Sequence, residues 1–72
     1  MICEYDEVVL LKDVEDLKLT AGSIGIALDR LGDGEAFMVE FYDPVTARTL
    51  AVEAVDASLL AKMTTVSSKP SE

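Results

Sequence analysis

The chain has 72 residues with 14 acidic and six basic side chains, no histidine and a formal charge of −8. That balance argues against a nucleic-acid groove, because holding phosphates takes Lys and Arg that displace condensed counterions. It favours a positively charged partner or solubility. One cysteine, Cys3, allows no intrachain disulfide, and without histidine a zinc site has few ligands to draw on.

Half of the residues are apolar, which suits one globular domain, expected over residues 1–66. The longest uninterrupted apolar run is Val8-Val9-Leu10-Leu11, against the roughly 20 residues a membrane helix needs. The opening Met-Ile-Cys-Glu-Tyr-Asp-Glu lacks the basic start of an export signal. The expectation is a cytoplasmic protein with no membrane association and a reduced, inert Cys3.

Tyr5 to Lys12 reads as the first strand, with Val8 to Leu11 apolar on both faces. Asp13 to Leu19 follows as a loop, and Thr20-Ala21-Gly22-Ser23 supplies turn chemistry. Ile24 to Leu31 alternates as a second strand, with Ile24, Ile26 and Leu28 on one face and Gly25, Ala27 and Asp29 on the other. Gly25 inside it suggests a bulge or a close backbone approach. Gly32-Asp33-Gly34-Glu35 is the strongest hairpin signal, since Asp-Gly accepts positive φ.

Ala36 to Tyr42 alternates as a third strand, with Phe37, Val39 and Phe41 facing one way and Met38, Glu40 and Tyr42 the other. An Asp43-Pro44 turn opens the next connection. Thr49 to Val55 can form a fourth strand, although Val52, Val55, Leu59 and Met63 also fall near helical spacing, so residues 51–63 are open to strand or helix. The favoured reading is a strand to Val55, one helical turn over Asp56 to Leu60 capped by Asp56, and a last strand, Ala61 to Val66, returning to the first. Ser67 to Glu72 reads as a flexible tail.

Five short strands with tight turns imply an all-β domain whose bent sheet closes into a small barrel. The expected core is Val8, Leu10, Ile24, Ile26, Leu28, Val39, Phe41, Leu50, Val52 and Leu59.

The segments Tyr5-Asp6-Glu7-Val8-Val9-Leu10, Leu19-Thr20-Ala21-Gly22-Ser23-Ile24-Gly25 and Val39-Glu40-Phe41-Tyr42-Asp43 resemble a family of small bacterial proteins catalogued as domain of unknown function 4926. The resemblance covers about residues 5–62 and implies an SH3-like barrel of about five strands with one helical turn before the last. It departs from the family pattern at Asp56-Ala57-Ser58-Leu59, where an Asp-Leu pair is interrupted, and at Ile26. It implies no active site. Such proteins look like small partners of toxin-like genes, which implies an immunity or antitoxin role. The glycine turn into the second strand is also similar to nucleic-acid-binding SH3-like modules, but here Asp13 to Ser23 holds three acids and one lysine. That analogy supports the fold alone.

No residue pattern names a reaction. Histidine is absent, and Ser23 lacks the glycine-flanked elbow of a nucleophile. Asp29, Asp33 and Glu35 lack the register of a calcium loop, and the glycine pairs are followed by no Lys-Ser/Thr of a phosphate loop. No cofactor or metal is expected, and the chain is read as non-enzymatic. The sharper signal is the acidic N-terminal third, Glu4, Asp6, Glu7, Asp13, Glu15 and Asp16 against Lys12, with Glu40 and Asp43 as a second patch and Tyr5 and Tyr42 as anchors. These residues suit either a solvated face that protects strand edges or a docking surface for a basic protein such as a toxin or nuclease. A homo-oligomer built on an exposed edge or on Val9 and Leu11 is the alternative, and a nucleic-acid-binding module is opposed by the charge.

Overall fold

A computed structural model describes residues 1–63 of the chain. Five antiparallel strands form one sheet: β1 (Glu7–Leu10), β2 (Ile24–Leu31), β3 (Ala36–Tyr42), β4 (Thr49–Asp56) and β5 (Leu60–Lys62), in the order β4-β3-β2-β1-β5. The only helical pieces among the described residues are two 3₁₀ turns, Glu15–Leu17 and Ala57–Leu59. The domain is all-β, with β2 and β3 bounded as the alternation predicts and a helical turn before the last strand. Residues 51–63 are therefore strand, turn and strand. The C-terminal part of the expected last strand, and the tail from Ser67, lie outside the described residues.

The sheet bends but does not close. Among the described residues β5 spends its three ladder positions on β1, from Val8 opposite Lys62 to Leu10 opposite Leu60, and β4 pairs only with β3. Among the described residues β4 and β5 are therefore edges, and the expected barrel closure is absent there. The turn Ala57–Leu59 joins the two along the chain, and its Ala57 N–H donates to the Glu35 carbonyl at 2.8 Å, just past the end of the β3–β4 ladder. Asp56 caps that turn as expected: its Oδ1 accepts from the Ser58 N–H at 2.9 Å and the Ser58 hydroxyl at 2.8 Å. These bonds hold the Asp56 carboxyl below its usual range, so the cap weakens as acid protonates it.

The core is Val8, Leu10, Leu19, Ala27, Phe37, Val39, Phe41, Val55 and Leu60. Phe41, Leu10, Val8 and Val39 are fully buried, each worth roughly 1.5–3 kcal/mol of burial. Two strands therefore present the opposite face from the one expected. On β2 it is Gly25 and Ala27 that face the core, while Ile24, Ile26 and Leu28 are half-buried on the outer face. On β4, Leu50 and Val52 are exposed and Val55 is buried. Leu59 is half-buried at the margin.

The physical reason lies on β3. Phe41 stands opposite Gly25 and Val39 opposite Ala27, so the bulky side chains of β3 fill the space that larger β2 residues would need. A Cβ on Gly25 would lie 2.6 Å from Val39 Cγ1 and 2.8 Å from the Glu40 carbonyl oxygen. The close backbone approach read from Gly25 is correct. The bulge lies further along, between Ala27 and Asp29, and a second one lies on β4 opposite Phe41 and Tyr42.

In the β2–β3 connection, Gly32 and Gly34 hold positive φ, at 59° and 93°, and Asp33 does not. In the β3–β4 connection, Asp43 organises the turn through its backbone and side chain, and Ala47 sits at φ 64°. A left-handed alanine costs about 1 kcal/mol relative to glycine. Ala47→Gly is therefore expected to raise stability by about 1 kcal/mol, read as a higher urea midpoint with an unchanged slope. A lower midpoint would show that the loop is not held in this conformation.

Candidate functional site

The outer face of the sheet brings acids and apolar side chains into one row. Glu7 of β1 stands opposite Ile26 of β2, Ile26 opposite Glu40 of β3, and Glu40 opposite Val52 of β4. With strands about 4.8 Å apart, the two carboxylate-bearing positions lie roughly 10 Å apart across Ile26. In the adjacent row Val9 faces Ile24, and Tyr42 faces Thr49.

Hydroxyls from that second row hold both carboxylates. The Tyr42 hydroxyl donates to Glu7 Oε2 at 2.8 Å, reaching from β3 across β2 to β1. The Thr49 hydroxyl donates to Glu40 Oε2. The other oxygen of each carboxylate has no hydrogen-bond donor among the described residues, and an ionised carboxylate has about four acceptor positions. Each of the two can therefore accept a further cationic donor.

The bond to Glu7 raises the Tyr42 pKa above 10.0, helped by desolvation and by the charge of Glu7. A raised tyrosine pKa contributes stability that is present below pH 10 and lost as pH rises through the folded-state value. In a Tyr5→Phe background, the phenolate absorbance of Tyr42 is expected to rise with a midpoint above 10. Glu7→Gln should bring that midpoint back towards 10. A midpoint that does not move with Glu7→Gln would break the pairing.

The remaining sequence-designated residues divide by what they hold. Asp6 accepts from the Cys3 N–H at 2.7 Å and pairs with Lys62 at 3.6 Å. Asp13 accepts from the Ala21 N–H at 2.8 Å. Asp43 accepts from the Val45 N–H at 2.8 Å and the Thr46 N–H at 3.3 Å. These three carboxylates stabilise turns. Glu4, Glu15 and Asp16 are exposed and make no side-chain hydrogen bond or ion pair among the described residues. Tyr5 is 75% exposed at φ 71°, a strained backbone for a bulky residue.

The structure thus brings Glu7, Glu40 and Tyr42 together and disperses the rest. Sequence reasoning missed the aliphatic half of this surface, because it assigned Ile24, Ile26, Leu50 and Val52 to the core. The available signal was the Phe37-Val39-Phe41 face, which demands small partners on β2 and so turns the isoleucines outward. Among the described residues no helix is long and apolar enough to cross a membrane.

No curated protein and no solved structure matches the chain. A family model does match, over residues 4–62, and so includes Glu7, Glu40, Tyr42 and the strands that carry them. The chain accordingly belongs to the family described as domain of unknown function DUF4926.

Proposed function

We propose that the protein is a non-enzymatic, cytoplasmic binding module that masks a basic protein surface, in the manner of an immunity protein or antitoxin acting on a toxin or nuclease. The observation that carries this reading is the outer-face row Glu7, Ile26, Glu40 and Val52, with an oxygen on each carboxylate that no donor among the described residues claims. A lysine or arginine laid across Ile26 covers its aliphatic stem and brings its cationic head to a carboxylate. Burial of Val52, Leu50 and Ile24 around that contact excludes water and strengthens it. An acidic plug of this kind blocks a basic active surface without chemistry of its own.

Glu15 and Asp16 support the same reading by steering encounter from the loop between β1 and β2. Glu15→Lys with Asp16→Lys is expected to slow association with a basic partner captured from the native host roughly tenfold, with little change in dissociation. Asp13 is kept in this variant because it holds Ala21. An unchanged association rate in surface-plasmon measurements at low salt would remove the steering role.

A second reading rests on β4. It is an edge strand with Leu50 and Val52 exposed and neither Lys nor Pro to guard it. Pairing of β4 with its copy would make the protein an assembly subunit. A dimer in light scattering that persists at high dilution favours that reading over the inhibitor.

A further inference from the structure

On the other side of the sheet lies an open groove of about 510 Å³, lined by residues of β2, β3, β5 and the segments beside them. Phe37, Leu60 and Ile2 give it an apolar floor, and Arg30, Lys62 and Asp33 stand around it. Two of the chain's six basic side chains therefore line one cavity in a molecule of charge −8.

The bulge on β2 puts Arg30 there. Gly25 and Ala27 face the core, and strict alternation would send Asp29 the same way and Arg30 outward. The register shift between Ala27 and Asp29 reverses the phase, so Asp29 stands opposite Met38 and Arg30 opposite the core residue Phe37. The Arg30 stem then passes over Gly34, where a Cβ would lie 3.4 Å from Arg30 Cδ. Arg30 makes no ion pair among the described residues, whereas Lys62 shares its charge with Asp6 at 3.6 Å. An arginine with no ion pair among the described residues, brought by the bulge to the rim of an apolar groove, is the arrangement of a binding site.

We propose that this groove binds a small monocarboxylate with an apolar tail. The tail lies on Phe37 and Leu60, and the carboxylate accepts from the Arg30 guanidinium with support from Lys62. Asp33 opposes a second negative charge, which selects a monoanion over a phosphate or a dicarboxylate. The volume lies within the 300–1,000 Å³ typical of ligand pockets. This site is independent of the acidic outer face.

The test is a titration of the ¹⁵N-labelled chain with hexanoate, 1-hexanol and acetate, followed by amide shifts. Hexanoate is expected to shift Arg30, Gly34, Phe37 and Leu60 saturably, with 1-hexanol about tenfold weaker and acetate weaker still, the tenfold being the size of one charge-assisted hydrogen bond. Arg30→Gln should abolish the preference for hexanoate while leaving 1-hexanol binding intact, which separates loss of the anchor from loss of the fold. Asp33→Asn should tighten hexanoate binding, because it removes the one carboxylate that repels the ligand's charge at the groove. Equal affinity for hexanoate and 1-hexanol, shifts elsewhere only, or a preference that survives Arg30→Gln would each overturn the proposal.

Discussion

Gly25→Ala is expected to destabilise the domain by about 3 kcal/mol, the upper end of the usual overpacking cost. The added methyl would meet Val39 Cγ1 at 2.6 Å and the Glu40 carbonyl oxygen at 2.8 Å. Val39 is fully buried and Glu40 sits in the middle of β3, paired on both sides. Neither group can retreat without disturbing a ladder. In a domain of this size about 3 kcal/mol is a large share of total stability and lowers the melting temperature by roughly 12–24 °C.

A double-mutant cycle locates the clash. Val39→Ala alone opens a cavity and destabilises. Combined with Gly25→Ala it should cost less than the sum of the two, because the closer obstruction is gone. Rescue should remain partial, since the Glu40 carbonyl stays. A Gly25→Ala protein that melts within about 3 °C of the parent, less than the roughly 4–8 °C that even 1 kcal/mol gives, would show that β2 and β3 are not this close.

The largest functional effect is expected from Glu7→Gln with Glu40→Gln. Glutamine keeps the shape and an oxygen that accepts from Tyr42 or Thr49, but removes both charges. Truncating one partner of a desolvated charge pair costs about 2–5 kcal/mol in known interfaces, so the double variant should bind a basic partner at least 100-fold more weakly, mostly through faster dissociation. Thermal stability should change little, because both carboxylates lie on the outer face and neither belongs to the core. Affinity within about threefold of the parent, less than half of one 1.4 kcal/mol decade, would assign the contact to another surface.

The strands themselves were legible because β2 and β3 alternate cleanly and are separated by glycines that only a turn can use. Asp56 was legible as a cap because a short polar acceptor precedes a helical turn with Ser58 two residues on. The inward face of β2 was not, since hydropathy ranks Ile24, Ile26 and Leu28 above Gly25, Ala27 and Asp29. That ranking is local, whereas the choice of face depends on the volume of Phe41 and Val39 across the ladder. The open sheet was illegible for a similar reason: it depends on pairing, and among the described residues every ladder position of β5 is taken by β1.

The candidate site shows the same division. Composition identified the acids, but only the register separates Glu7 and Glu40, which share a row, from Asp6, Asp13 and Asp43, which serve turns. Arg30 drew no attention in the sequence, because a bulge that reverses alternation leaves no mark except the surplus residue Leu28.

The most direct test of the central claim is affinity capture from the native host with two baits, the parent chain and the Glu7→Gln, Glu40→Gln variant. Bound proteins are identified by mass spectrometry and eluted by raised salt. The inhibitor reading predicts one basic protein that is held by the parent, released as salt rises and missing from the variant. Recovery of the bait alone or as its own oligomer, or of the same protein on both baits, would contradict it.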